Sequence, residues 1–153
     1  MGAAPGRLLD SFARAREAIN DAPVASDEDI AVWDGERMRD LEAALERRDR
    51  DVRVTAAVDG RGEVVAFTEL RVSRVPSRIA NTEDTAVVAE HRGRGLGRCV
   101  KFESLQRLHA DRPEVELVTT DNAEQNESML NLNHSLGFAP VCVHTSCVLE
   151  LQG

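Results

Sequence analysis

The sequence predicts an α/β fold in which helices flank a mixed β-sheet. Segments with helical periodicity alternate with β-rich segments along the chain, and this alternation is typical of α/β architecture. A glycine-rich turn near the middle joins a short strand to a helix. The length of 153 residues suits one domain with one core. We therefore expect a single domain built around one sheet.

Two helices are predicted before the first strand. Apolar residues recur with a helical period over residues 7–19, and a polar, acidic loop is expected at residues 24–29. Asp34 then precedes a second periodic segment and is a natural N-cap for a helix ending near Arg48. Trp33, just before that cap, is either a staple residue for the helix or a wall of a substrate cleft.

The β-rich segments share short length and many β-branched residues, and they are residues 52–58, 63–72, 85–88 and 115–120. The first two are separated by Asp-Gly-Arg-Gly at residues 59–62, which is a hairpin signal. A final helix is expected over residues 126–136, with Gly137 as its C-terminal cap. The tail, residues 141–151, predicts a closing strand or hairpin.

The turn at residues 92–97 reads Arg-Gly-Arg-Gly-Leu-Gly and predicts an anion site. Glycine lacks a Cβ, so the backbone can adopt left-handed angles and approach a ligand closely. The first N–H groups of the following helix have no partner within the helix, and a phosphate fits there. Arg92, Arg94, Arg98 and Lys101 add positive charge to this segment.

The spacing of the glycines weakens two nucleotide-binding interpretations. The dinucleotide fingerprint requires G-x-G-x-x-G, and this turn is one residue shorter. The P-loop requires Gly-Lys-Ser/Thr, but Gly97 is followed by Arg98 and Cys99.

The turn does match the pattern Gln/Arg-x-x-Gly-x-Gly/Ala, with Arg92, Gly95 and Gly97 at the defined positions. Downstream, Asn126 opens a helix that closes on Gly137 and Phe138. Through these two ordered segments, residues 84–140 resemble the GNAT superfamily of acyl-CoA-dependent N-acetyltransferases. The resemblance extends in particular to the carboxy-terminal halves of tandem acetyltransferases related to mycothiol synthase. It implies a GNAT-like sheet and acetyl-CoA as cosubstrate.

The resemblance also implies where acetyl-CoA binds. In the family the pantetheine arm lies in a gap between two splayed strands, here residues 85–88 and 115–120. Backbone groups of Val87 and Val88 would bind the pantetheine amides and stabilise the thioester oxyanion, and Asn126 would contact the arm. The pyrophosphate would be held by Arg92, Gly93, Arg94, Gly95, Leu96, Gly97 and Arg98.

The acceptor amine must lose a proton before it attacks, and a carboxylate acting directly or through water would help. On this resemblance three carboxylates lie near the cleft, Glu69, Glu83 and Asp84. We favour Glu69, because an unpaired carboxylate within an apolar strand is otherwise hard to explain. The alternative is a structural Glu69 on a solvated face.

The leaving thiolate also needs a proton. Many family members use a tyrosine at the position of Asn133, but the chain contains no tyrosine. Asparagine donates a hydrogen bond and has no titratable proton. The proton would then come from water, buffer, His134 or Cys142.

The family fold usually opens with a strand before its first helix, and only six residues precede the predicted helix here. That strand is absent, supplied by a partner subunit, or left behind with an upstream half. A homodimer that completes the sheet is one of these options.

Composition narrows the function classes. The net charge of −8 argues against a nucleic-acid surface and suits a cationic partner. The sequence has no apolar segment of membrane-spanning length and no signal-peptide pattern at its start, so we expect a cytoplasmic protein and no membrane partner. Three cysteines without C-x-x-C spacing indicate no metal site.

The leading hypothesis is an N-acetyltransferase that transfers acetyl from acetyl-CoA to a small cationic amine in a ternary complex. One alternative is a CoA-binding module without turnover. Another is an acetyltransferase for protein N-termini or lysines.

Overall fold

The computed structural model describes residues 4–21, 32–47, 50–145, 147 and 149. It shows a mixed α/β fold in which helices flank a four-stranded sheet, as the sequence predicted. In chain order the elements are α1 (Leu9–Glu17), α2 (Gly35–Glu46), β1 (Arg50–Val58), β2 (Val64–Ser73), β3 (Ile79–Val87), α3 (Leu96–Asp111), β4 (Leu117–Thr119) and α4 (Glu127–Ser135). Short 3₁₀ turns lie at Gly6–Leu8, Ala18–Asp21 and Ala89–His91.

The strands are arranged in the order β1-β2-β3-β4, with β1, β2 and β3 antiparallel and β4 parallel to β3. β3 begins at Ile79 rather than at Thr85, the predicted start. Residues 81–85 of β3 are polar, so pairing with β2, and not local propensity, makes this segment a strand. β4 covers only three of the six residues predicted at 115–120.

The pairing of β2 with β3 contains a β-bulge. Thr68 pairs with Thr85, whereas Leu70 pairs with Thr82, so one residue of β2 opposes two of β3. A bulge bends the strand and redirects side chains. Here it brings Glu83 and Asp84 opposite Glu69, and this places three carboxylates in one region of the sheet.

The two faces of the sheet are covered by different helices. On one face, Phe12 of α1 packs edge-to-face on Phe67 of β2, with 5.1 Å between ring centroids, and Met38 of α2 joins the same cluster. On the other face, Leu108 of α3 packs with Leu70 and other β2 and β3 residues. The central strands are therefore buried on both faces, which positions the bulge in the interior.

α2 begins with the N-cap that the sequence predicted. Asp34 caps the helix, and its Oδ1 accepts a hydrogen bond from the Arg37 backbone N–H at 2.8 Å. Trp33 is partly buried against the cluster that contains Met38, as expected of a staple residue. Its ring also lies between two guanidinium groups, with Arg16 Cζ at 4.6 Å and Arg37 Cζ at 4.8 Å from the ring centroid.

Three other predictions concern the tail, the residues before α1 and the loop before α2. The predicted closing strand is wrong for the described tail residues 141–145, 147 and 149, which form no strand, and Val143 is 92% exposed. No strand precedes α1 within residues 4–8. The predicted acidic loop at residues 24–29 lies outside the described residues. Within the described part of the chain, no helix has the length and apolar character needed to cross a membrane.

We predict that Asp34→Ala lowers the free energy of unfolding by about 1 kcal/mol, because the Arg37 N–H loses its acceptor. Urea denaturation measures the loss. Asp40→Ala is the matched control, since Asp40 is exposed in the middle of the same helix and its replacement removes the same charge without removing a cap. Equal stability of the two variants would contradict the capping role.

Candidate functional site

The sheet opens into a gap between β3 and β4. The two strands pair at Ile79 with Leu117, Ala80 with Val118 and Asn81 with Thr119. From Thr82 onward the described pairing of β3 is with β2 alone. The backbone groups of this half of β3 that point away from β2 therefore have no strand partner, and a ligand containing amides can satisfy them.

Hydrogen bonding shows which valine faces the gap. The Val88 N–H donates to the Val65 carbonyl at 3.0 Å, so it is used within the sheet. Because successive residues of a strand point to opposite sides, the N–H and C=O of Val87 face the gap. The Val87 carbonyl accepts a hydrogen bond from Arg92 Nε at 3.0 Å. The Val88 N–H is therefore not free to stabilise an oxyanion as expected, whereas the Val87 N–H faces the gap.

The glycine-rich turn has the backbone geometry of an anion site. Gly93 and Gly95 have φ angles of 72° and 75°, in the left-handed region. The Cys99 N–H is bonded to the Gly95 carbonyl at 3.0 Å, so the N–H groups of the three residues before Cys99 lie ahead of the first bond within α3. Free donors at a helix start attract phosphate.

Gly97 has a different role, close packing. A Cβ on Gly97 would lie 3.0 Å from Leu132 Cδ1 of α4 and 3.4 Å from Val87 Cγ2 of β3. The absence of a side chain therefore lets α3 approach both α4 and β3. All three residues of this contact line one cleft.

A cleft of about 720 Å³ lies between the starts of α3 and α4. The predicted cofactor residues that line it are Val87, Arg92, Gly93, Gly95, Leu96, Gly97, Arg98 and Asn126, whereas Val88 and Arg94 do not. Asn126 also caps α4, because its Oδ1 accepts a hydrogen bond from the Met129 N–H at 3.1 Å. The structure thus gathers most of the predicted cofactor residues around one cleft.

Arg92 has partners within the same cleft. Its guanidinium forms an ion pair with Asp21, which follows α1 and also lines the cleft. Both side chains are about half exposed, so water screens the pair and it contributes little to stability. A pyrophosphate would therefore have to compete with Asp21 for this cation.

The predicted base Glu69 is not an unpaired carboxylate. Arg16 of α1 binds it through the two terminal guanidinium nitrogens, Nη1 and Nη2, and the two side chains are 7% and 8% exposed. Burial raises the pKa of Glu69, and the Arg16 guanidinium acts in the opposite direction. The reason given for choosing Glu69 is therefore wrong, since Arg16 explains how a carboxylate tolerates this strand.

The sequence analysis did not identify Arg16. A signal was available, because Arg16 follows the core residue Phe12 by four positions and so lies on the same helix face. A cation on that face needs a buried acid, and Glu69 is the acid within the apolar strand.

Asp84 is the most accessible of the three carboxylates. Arg16 donates to its Oδ2 at 3.0 Å, and the Asp84 side chain is 39% exposed. Burial raises the pKa of Asp84, Arg16 opposes this, and the neighbouring Glu83 raises the pKa further. Glu83 itself pairs with Arg71 at 3.1 Å.

Lys101 is buried, and its charge does not join the exposed charges of the arginines in the glycine-rich turn. It is 1% exposed, and its Nζ donates to Asn133 Oδ1 at 2.5 Å. Asn133 Nδ2 donates in turn to Asn122 Oδ1 at 3.3 Å, and the Phe138 ring centroid is 5.0 Å from Nζ. Within the described residues no carboxylate forms an ion pair with Lys101, and burial lowers its pKa to about 8.

The sequence analysis grouped Lys101 with the loop arginines. Its position in a buried stripe on α3, with Gly97, Ser104 and Leu108, was the signal for burial. Among the described residues no cluster of three or more histidine, cysteine or acidic side chains could hold a metal ion.

Comparison with known proteins identifies the family. Residues 13–138 match the model of the acetyltransferase (GNAT) family. The chain belongs to the GNAT acetyltransferase family. No curated protein sequence matches this GNAT chain.

Solved structures agree with this assignment. A tandem GNAT protein from the clavulanic acid biosynthesis pathway is 31% identical, with a TM-score of 0.64, over 82% of this chain and 38% of that protein. A Trypanosoma brucei acetyltransferase is 17% identical, with a TM-score of 0.69, over 97% of both chains. An aminoglycoside acetyltransferase from an uncultured soil metagenomic sample, in complex with sisomicin, is 16% identical, with a TM-score of 0.65, over 92% of this chain and 87% of that protein. The last two show the fold alone.

We predict that Lys101 titrates near pH 8 in the folded protein, because burial disfavours its charged form. Lys101 is the only lysine of the sequence, so protein labelled with [¹³Cε]lysine gives one signal that needs no assignment. The chemical shift of that signal followed against pH measures the pKa directly. The urea-unfolded protein is the control, with an expected midpoint near 10.4. The same midpoint in the folded protein would contradict the burial.

Proposed function

We propose that this GNAT protein is an N-acetyltransferase that transfers the acetyl group of acetyl-CoA to the primary amine of a small molecule by direct attack in a ternary complex. The observation that carries the proposal is the meeting of two binding features. The half-paired strand β3 and the free N–H groups at the start of α3 border the same cleft. One ligand with amides at one end and phosphates at the other fits both.

The residues present fit acetyl-CoA. The N–H groups of Leu96, Gly97 and Arg98 would hold the pyrophosphate, with the Arg98 side chain adding charge. The pantetheine amides would pair with β3 at Val87, in the place of a further strand. The Val87 N–H would then donate to the thioester oxygen as negative charge develops on it.

We assign the general base to Asp84, acting through water. Its carboxylate is accessible to solvent, whereas Glu69 is enclosed by Arg16. A raised pKa makes a carboxylate a better proton acceptor, which favours Asp84 over an ordinary surface aspartate. Glu69 and Arg16 then hold Asp84 in position from inside the sheet.

We infer a cationic acceptor from the charge around this base. Glu83 and Asp84 lie at the bulge, and the protein as a whole carries a net charge of −8, which attracts protonated amines. The tandem GNAT relative comes from a biosynthetic pathway, and this favours a small-molecule acceptor and kinship with tandem acetyltransferases.

A second candidate function is a CoA-binding module without turnover. The ion pairs of Arg16 with both Glu69 and Asp84 favour it, because a carboxylate neutralised by arginine is a weaker base. The absence of tyrosine also favours a module without turnover, because the residue that protonates the thiolate in many family members is missing. Cofactor binding and turnover must therefore be measured separately.

We predict that Gly95→Glu weakens acetyl-CoA binding by about 100-fold, because a carboxylate would face the pyrophosphate. Isothermal titration calorimetry measures the affinity. Gly62→Glu is the matched control, since Gly62 has a φ of 87°, also lies in open space, and belongs to the β1–β2 hairpin away from the cleft. The control shares the backbone strain and should bind normally. Equal affinities of the two variants would contradict the assigned site.

We predict that Asp84→Asn lowers kcat by about 100-fold while acetyl-CoA affinity stays unchanged, because the base is lost and the cofactor contacts remain. The readout is free thiol released with a panel of small cationic amines, from diamines to sisomicin. Full activity of Asp84→Asn would remove Asp84 from the mechanism. If the protein binds acetyl-CoA tightly but releases no thiol with any amine of the panel, the CoA-binding module without turnover is favoured.

We predict that Glu83→Gln changes the dependence of kcat/KM on pH. The rise of kcat/KM on the acidic side should occur at a lower pH than in the wild type. Activity rises with pH as the base loses its proton, and the Glu83 charge raises the pKa of Asp84. Removing that charge lets Asp84 lose its proton at lower pH. An unshifted limb would show that a different group titrates.

A further inference from the structure

We propose that strand β1 is a docking surface for a second copy of this chain, and that the two β1 strands pair antiparallel about a twofold axis at Val54. The two four-stranded sheets would then form one continuous sheet of eight strands. This inference goes beyond acetyl transfer and does not depend on it, because β1 lies at the end of the sheet opposite β4 and lines no part of the cleft between α3 and α4.

The outer edge of β1 carries backbone groups without a strand partner. Among the described strands, β1 pairs with β2 alone. The Asp59 N–H donates to the Glu63 carbonyl at 2.9 Å across the hairpin, so Asp59 faces β2. The bulge in this pairing places its extra residue on β2, so the alternation along β1 is not interrupted. The even-numbered residues within 52–58 therefore direct their N–H and C=O groups away from β2.

β1 lacks most of the features that keep an edge strand from pairing with another chain. Such strands are usually short, broken by proline or guarded by charged side chains. β1 has nine residues, and none of them is proline, glycine or lysine. Of its charged residues, Arg50 lies at the very start. Asp51 pairs with Arg74 at 2.9 Å, and Arg53 pairs with Asp111 at 3.0 Å, so both charges are already compensated.

An apolar stripe accompanies this open edge. Val52, Val54 and Ala56 share one face of β1 and line a cavity beneath α2. Val54 is 43% exposed, although Leu41 and Leu45 of α2 line the same cavity. α2 therefore does not cover the stripe. A partner strand that supplies both backbone groups and apolar side chains would satisfy the two features together.

The sequence of β1 makes a second copy a suitable partner. Val54 is the middle residue of the strand, so a twofold axis at Val54 gives all nine residues a partner, and any other register pairs fewer. Val54 then lies opposite its own copy, and Val52 lies opposite Ala56 of the second copy. Outward-facing residues thus meet outward-facing residues, and their N–H and C=O groups bond to each other. The two apolar stripes become one.

The charges of β1 are also compatible with this register. Each charged residue lies opposite an uncharged residue of the second copy, in the pairs Arg50 with Val58, Asp51 with Ala57 and Arg53 with Thr55. Like charges directly opposite each other would destabilise the pairing. Arg53 comes only diagonally opposite its own copy, at about 7–8 Å between Cα atoms. Its ion pair with Asp111 reduces the repulsion at that distance.

The first test uses the residue on the axis, because one substitution there introduces two opposed charges in the dimer. We expect sedimentation velocity to show a wild-type mass that rises with protein concentration from one chain to two. Val54→Arg should raise the Kd of the dimer about 100-fold. Val143→Arg is the matched control, since Val143 is 92% exposed in the tail beyond α4 and the change adds the same charge. The control should leave the Kd unchanged.

Two outcomes of this test would overturn the inference. A wild-type protein that stays monomeric at every concentration would show that β1 does not bind a second copy, and that its edge is free or is covered by another segment of the chain or by a different protein. A dimer that Val54→Arg does not weaken would show that the copies meet through another surface.

The register is tested by disulfide cross-linking in protein whose three native cysteines, all exposed, are replaced by serine. Opposite residues of an antiparallel pair have Cα atoms about 5.5 Å apart, which a disulfide can span. Val54→Cys should link two copies by itself. Val52→Cys and Ala56→Cys should give linked dimers only when the two proteins are mixed. This test remains informative if Val54→Arg does not fold. Equal linking by all three variants alone, or by none in any combination, would overturn the inference.

Discussion

The site depends on a half-paired strand. β3 has two neighbours over Ile79–Asn81 and, among the described strands, one neighbour from Thr82 onward. Backbone donors and acceptors in the interior must be satisfied, so the unpaired side of β3 requires a partner other than protein strand. The bulge opposite Glu69 and the packing of Gly97 against Val87 both act on this half of the strand. The sheet thereby leaves a gap where a strand would otherwise lie.

Two cations that the structure describes are buried, Arg16 of α1 and Lys101 of α3, and their environments differ. Arg16 is compensated by Glu69 and Asp84, and removal of one member of such a buried pair typically costs about 3–5 kcal/mol. Lys101 is compensated only by an amide and an aromatic ring. The first arrangement joins α1 to β2 and β3 and fixes the position of the Asp84 carboxylate. The second leaves a buried ammonium without an ionic partner among the described residues.

Local signals in the sequence predicted much of the fold, and they also indicated the glycine-rich turn whose Gly93 and Gly95 have left-handed backbone angles. The Asp34 cap, the hairpin at residues 59–62 and the turn before α3 depend on backbone preferences of a few consecutive residues. The early start of β3 and the short length of β4 depend on pairing between distant segments. A local sequence pattern does not predict such pairing. The tail alternates like a strand, yet its described residues have no strand to pair with.

The side-chain environments were harder to predict for the same reason. Glu69 was expected to be an unpaired carboxylate, but it is paired with Arg16, which is 53 positions away in the sequence. Lys101 meets Asn133 across 32 positions. Whether a buried charge is paired depends on packing between elements, and only the three-dimensional structure shows it.

Backbone amide hydrogen exchange with and without CoA tests the central claim most directly, because it reports which N–H groups the ligand binds. Our account predicts new protection at Val87 and at the N–H groups of Leu96, Gly97 and Arg98. A second cavity, of about 380 Å³, lies beneath α2 beside β1, and it includes Met38 and Val54. Protection confined to the residues of that cavity, with none at Val87 or the start of α3, would contradict the account.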